Sequence, residues 1–308
     1  MIRKHTRRAA KAAFAISLGV AIVIGLLAAA FARPAHSAGT TVTIGTKNFP
    51  EEFILGQLYK QALEAKGFTV SYKENIGSTE IIQTALTSGK INFYPEYTGV
   101  IVQDVFHHNS SAKTAAATYA LAKKLEAGKG YTLLRPTPFY DTDVIAVTNA
   151  TAKKYGLKSI GDLKKVGSFK FGAFPECKTR NTCLVGYKKS YGLTKVQFVP
   201  LAGISAYTLL DGGQLLAADV FSTDPPLGTN SKYTVLADPK HVTGFQNVAP
   251  IVKASVASSL GPKFSATVNA VSSKLTQNAI VAMNKAVIVD KQSAAKVAKA
   301  FLKANGLA

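Results

Sequence analysis

Apolar positions change period several times between Thr41 and Tyr97. The run "TVTIGTKNF" (41–49) alternates like a half-buried strand. In "PEEFILGQLYKQALEAKG" (50–67), Leu55, Leu58, Ala62 and Ala65 recur at helical spacing after Pro50 and two acids in a first turn, and Gly67 ends the run. The next segments predict a strand in "FTVSYKENIG", a helix in "STEIIQTALTSG" opened by Ser78 and stopped by Gly89, and a third strand in "INFYPEY". A helix over Thr114 to Ala127 follows, and then the strand "DVIAVT" from Asp143 to Thr148.

From there the alternation starts again. We read "KYGLKSIGDLKKV" as helix, "FKFGAF" as strand, "CLVGYKKSYGL" as helix, "QFVPL" as strand, "ISAYTLLDGG" as helix and "AADVFST" as strand. "NVAPIVK" is a further strand, and two helices around Lys274 to Val289 and Ser293 to Ala304 close the chain. Alternating strands and helices predict parallel sheets with helices on their faces. Two such units of similar size, with no Pro/Gly-rich tether, imply an α/β protein of two lobes whose chain crosses between them in extended strands. Ligands of open α/β sheets bind beyond the carboxyl ends of the strands, so facing lobes create a cleft. The segments that would line it are Lys47-Asn48, Gly77 to Thr79, Glu96 to Val100, Phe174 to Arg180 and Phe221 to Asp224.

The first 38 residues alter the picture of where the protein works. Arg3, Lys4, Arg7, Arg8 and Lys11 precede an uncharged run from Ala12 to Ala32, and the small residues of "PAHSAGT" follow. This is the layout of an export signal, with cleavage expected after Ala38, although the apolar run is also about long enough to stay as a membrane anchor. Without that segment the formal charge of +20 falls to about +14. The remaining lysines are dispersed as isolated pairs such as Lys123-Lys124 and Lys188-Lys189, which read as solvated faces and not as a nucleic-acid stripe. In an oxidising compartment the two cysteines, Cys177 and Cys183, are expected to close a local disulfide loop.

Catalytic constellations are weak. The histidines beyond the leader are His107, His108 and His241, and none accompanies a serine elbow at a strand end. His107-His108 reads as part of a polar loop, so neither a metal nor a cofactor is implied. There is no phosphate-binding loop and no dinucleotide-type glycine fingerprint. Glu96 with Asp104 or Asp141 is the one acid-base couple a secreted hydrolase could use, and an anchored ligand sensor is another reading. Post-strand positions are richer in rings and cations than in proton-transfer groups, which points to recognition and not to an enzyme.

Several segments together, "TIGTKNFPEEFILGQL", "GSTEIIQTALTSGKINFYPEYTGV", "RNTCLVGYKKSYGL" and "ADVFSTD", resemble the substrate-binding proteins of quaternary-ammonium ABC importers. This is the glycine betaine/carnitine/choline-binding family, with a type II periplasmic-binding-protein fold. The resemblance implies a monomeric, extracytoplasmic, non-catalytic protein that passes a small quaternary-ammonium solute to a permease and its ATPase. It implies lobes of residues 39–142 plus 247–308 and residues 143–246. A quaternary ammonium has no N–H to donate, so ring faces hold it, each contributing roughly 0.5 to 2 kcal/mol. Tyr97 matches the family's first cage tyrosine, Phe221 the third ring and Phe245 the fourth, while Asp143 stands where the second ring belongs. Lys47 and Arg180 match the residues that hold a betaine carboxylate, and Val100 replaces a threonine donor. Asp141 completes the expected ligand-binding set. With Asp143 and Val100 in place, choline, carnitine or a ring-bearing betaine competes with glycine betaine as the expected solute.

Overall fold

The computed structural model describes residues 40–108, 112–201, 203–228 and 230–308. The expected export signal lies outside these residues. Among them, no helix is long and apolar enough to cross a membrane.

The first unit contains β1 (Val42–Lys47), α1 (Pro50–Ala65), β2 (Val70–Gly77), α2 (Thr79–Thr87), β3 (Phe93–Tyr97), α3 (Ala115–Ala127) and β4 (Tyr131–Leu133). The second runs through β5 (Asp143–Thr148), α4 (Asn149–Tyr155), β6 (Phe169–Ala173), α5 (Leu184–Tyr191), β7 (Val196–Pro200), α6 (Ala206–Asp211), β8 (Ala217–Phe221) and β9 (Tyr233–Leu236). The chain then returns to the first sheet with β10 (Val248–Lys253) and ends in α7 (Ala254–Lys274), α8 (Gln277–Ile288) and α9 (Ala294–Ala304). The strand orders, β2-β1-β3-β10-β4 and β7-β6-β8-β5-β9, are the same pattern built twice. In each sheet the reversed strand is the one that arrives from the other sheet, β10 in the first and β5 in the second. Because those two strands run backwards, their first residues sit at the edge where the parallel strands end.

Both sheets are covered on both faces, and β3 shows how. Its period of two sends Phe93 and Tyr97 into a core with Leu55, Leu58 and Tyr59 of α1, and Tyr94 into the opposite core with Ile82, Ile101 and Leu133. Each fully buried side chain of this kind stabilises the fold by about 1.5 to 3 kcal/mol. In the second sheet, Ile145 and Phe171 face one core while Ala146 and Val220 face the other.

Local signals explain most boundaries. Pro50 starts α1, with Glu51 and Glu52 in its first turn, and Thr114 caps α3 by accepting from the Ala117 N–H at 3.1 Å. Ser78 occupies the cap position of α2, but its hydroxyl turns to the Glu80 carboxylate. The expected helix over residues 154–166 is divided: α4 ends at Gly156 in the left-handed region, and a 3-10 segment, Ile160–Val166, follows. The short strands β4 and β9 and the 21-residue α7 were not expected from the sequence pattern. In α7 the cause is visible, since Gly261 (φ +73°) and Pro262 interrupt the helix and break its apolar period.

Candidate functional site

The strand ends of the two sheets meet across one cleft. β1 delivers Lys47, with Asn48 and Phe49 just beyond it, and β3 delivers Tyr97. From the second sheet come Phe174 after β6, Phe221 at the end of β8 and Asp143 at the start of β5, which pairs with Phe221 across the ladder. Asp141, Arg180, Asp219, Val100 and Gln246 complete much of the lining.

Four rings run across this cleft. Tyr97 and Phe49 have centroids 6.2 Å apart, Phe49 stacks on Phe221 at 5.3 Å, and Phe221 stacks on Phe174 at 6.0 Å. The Lys47 ammonium lies 4.3 Å from the Tyr97 centroid and 5.6 Å from that of Phe49, so these faces already hold a cation. Its Nζ donates to Glu96 Oε1 at 2.5 Å in a buried ion pair, and the Tyr97 N–H donates to the same oxygen. Glu96 is fully buried, and its carboxylate is engaged by Lys47, by Thr79 Oγ1 at 3.4 Å and by the Tyr97 N–H.

Beneath the rings a buried polar network joins the sheets. Glu51 accepts from Tyr97 Oη at 2.8 Å, from Thr223 Oγ1 at 2.7 Å and from Asn284 Nδ2 at 2.8 Å. Burial raises the Glu51 pKa against these three donors. Asp141 accepts from Ser222 Oγ and the Thr223 N–H, which fixes the turn after β8. Burial, then the charges of Glu51 and Asp224, push the Asp141 carboxyl well above its usual range. Asp141 supports the cleft through these bonds as well as lining it.

The cationic side is similarly occupied. Arg180 Nε and Nη2 donate to Glu80 Oε1 at 3.1 and 3.0 Å, linking the 174–183 loop of one lobe to α2 of the other. Nearby, Thr182 Oγ1 donates to Asp104 Oδ2 at 2.7 Å. Cys177 and Cys183 form a disulfide whose Cα atoms are 5.2 Å apart, closing the loop that carries Arg180.

Of the residues expected from sequence, Lys47, Tyr97, Asp141, Asp143, Arg180 and Phe221 all line the cleft. Phe245 does not. Its ring stacks on His241 at 5.5 Å in a separate groove, while its backbone oxygen accepts from Thr98 Oγ1. The next residue, Gln246, faces the cleft instead, with Oε1 accepting from the Val100 N–H at 3.0 Å. This contact depends on Gly99, since a Cβ there would meet the Gln246 amide at 2.6 Å. Neither period nor motif singles out Phe49, Phe174, Asp219 or Gln246 as a ligand-binding residue. Phe174 lay within a segment marked for the cleft, and Phe49 stands two residues beyond the end of β1. Asp219 lies two residues before Phe221 and so shares its face of β8.

Two doubly covered α/β lobes with facing strand ends, an aromatic-lined cleft and two strand crossings define a type II periplasmic-binding-protein fold. A family model described as the substrate binding domain of ABC-type glycine betaine transport systems matches residues 40–304, and the chain belongs to that family. It is 32% identical over 294 residues to the glycine betaine-binding protein YehZ of Escherichia coli, covering 91% of this chain and 95% of that one. It is 30% identical over 295 residues to a glycine-betaine-binding protein of Pseudomonas aeruginosa, covering 92% of each. The solved structure of apo YehZ superimposes with a TM-score of 0.63 at 30% identity, over 88% of this chain and 100% of that structure.

Proposed function

We propose that the protein is the extracytoplasmic solute-capturing component of an ABC importer, closing its lobes around a small quaternary-ammonium compound. The observation that carries this reading is the ring series Tyr97, Phe49, Phe221 and Phe174, which spans both lobes and two of whose rings, Tyr97 and Phe49, already lie against the Lys47 ammonium. A cation without N–H donors gains from ring faces what it cannot gain from hydrogen bonds. Tyr97, Phe49, Phe174 and Phe221 serve as the cage, Asp143 supplies negative charge beside it, and Arg180 sets the cleft's width through Glu80 of the other lobe.

Residues 39–142 plus 247–308 act as one lobe and residues 143–246 as the other, hinged where the chain crosses between sheets. Solute favours the closed form because only there do both lobes touch it. The segment up to Ala38 directs export, the protein works as a monomer, and its partners are a permease and its ATPase. Family membership and the engagement of Glu96 by Lys47 speak for capture without turnover.

Calorimetry with choline, glycine betaine and carnitine tests the reading. The chain contains no tryptophan, so tyrosine fluorescence reports on the cleft. At least one of these solutes is expected to bind and raise the melting temperature, and Tyr97→Ala to weaken it roughly tenfold, the value of about one ring face. A flat thermogram for all three sinks the proposal.

A further inference from the structure

Asp219 contributes a carboxylate that the fold leaves unsatisfied. It lies in the middle of β8, is only 7% exposed, and its Oδ1 has no hydrogen-bond partner among the described residues. One of its carboxylate oxygens is within 4.8 Å of both sulfurs of the Cys177–Cys183 disulfide, a neighbour that offers it no strong donor. Across the antiparallel ladder, Asp219 pairs with Ile145 and Asp143 with Phe221, so the two carboxylates are diagonal neighbours on the cleft face. The Asp143 carboxylate likewise receives no hydrogen bond from the described residues. Burying such a group without a donor is costly, and the cost is offset only when a donor or a cation arrives.

The cleft's cations act on these carboxylates only through space, Arg180 on both and Lys47 on Asp143, and donate no hydrogen bond to either among the described residues. Lys47 is held by Glu96, and Arg180 is held by both oxygens of Glu80. A solute carboxylate could use only the N–H groups that these pairs leave over, and it would face Asp143 and Asp219 while doing so. A positively charged group with a donor meets the opposite situation.

We propose that Asp219, with Asp143 beside it, is a specificity-determining residue that selects a cation bearing a hydroxyl or N–H donor and no carboxylate. This inference rests on the solute-capture reading above. The ring faces hold the alkylated ammonium, and the solute's donor reaches Asp219 Oδ1. A site with a buried polar atom waiting for a partner rejects an analogue that lacks the donor far more strongly than an apolar pocket rejects a missing methylene.

Calorimetry at one pH with three probes tests it: choline has the ammonium and a hydroxyl, tetramethylammonium lacks the hydroxyl, and glycine betaine replaces it with a carboxylate. Choline is expected to bind at least about tenfold more tightly than either of the others. Asp219→Asn is expected to keep the fold and lower choline affinity roughly tenfold, removing most of its advantage over glycine betaine. Glycine betaine binding as tightly as choline, or an unchanged choline preference in Asp219→Asn, overturns this inference and leaves the capture reading standing. If none of the three binds to the wild-type protein, the capture reading itself fails and this inference falls with it. Should the variant not fold, a wild-type protein without a preference for choline still overturns the inference.

Discussion

At the residue scale, buried carboxylates set how the protein responds to pH. Glu126 of α3 is fully buried, and neither carboxylate oxygen has a partner among the described residues. Burial, then the charge of Glu96, pushes its pKa up to about 7. Since this value is above that of an unfolded glutamate, the folded state holds the proton more tightly. The stability it confers is present below about pH 4.5 and is lost as pH rises through about 7. Glu126→Gln mimics the protonated form, so it should match the wild type near pH 4.5 and be more stable at pH 8, by up to about 3 kcal/mol. Urea titrations at both pH values check this, and equal pH slopes for the two proteins would refute it. Tyr97 and Phe221 were legible in the sequence because each stands at a strand end within a distinctive motif. Glu126 was not, because a glutamate in an alanine-rich helix looks the same whether it faces solvent or a second carboxylate.

At the element scale, the loop between β6 and α5 is the most constrained part of the cleft. It carries Phe174, Glu176 and Arg180, and the disulfide closes it over six residues. Gly186 of α5 is pressed against it, for a Cβ there would lie 2.0 Å from the Asn181 carbonyl oxygen. Replacing both cysteines by serine releases a short loop in the unfolded chain, which is expected to cost about 2 kcal/mol of stability. Solute affinity should fall as well, because the side chains of this loop must then be ordered on binding. Differential scanning calorimetry with and without solute measures both effects, and an unaltered melting temperature would sink the argument. The β1–α1, β2–α2 and β6–α5 units were readable from period, proline and glycine. The strands β4 and β9 were not, because three or four residues carry too little alternation to register. Their place is decided by a neighbouring strand that comes from elsewhere in the chain.

Across the whole molecule, three contacts join the lobes: Arg180 with Glu80, Thr182 with Asp104, and Thr223 with Glu51. The Arg180–Glu80 pair is the most accessible to solvent on its acidic side, and exposed ion pairs contribute roughly 0 to 1 kcal/mol. Glu80→Ala should therefore loosen the closed form without unfolding it, weakening solute binding about twofold to fivefold. It should also increase the radius of gyration of the solute-free protein in small-angle scattering. No change in either quantity would remove the pair from the closure mechanism. The sequence by itself determined the α/β alternation, the two-lobe plan, the positions of Tyr97, Phe221, Lys47 and Arg180 at or after strand ends, and the family, since all of these are written in local period and short motifs. Tertiary structure alone decided that Phe245 turns away while Phe49 and Phe174 turn in, that Lys47 and Arg180 are already engaged by glutamates, and that Asp219 is left without a donor. Those outcomes depend on which side chains meet across the lobes, and residues separated by as many as 172 positions carry no mutual signal in the chain.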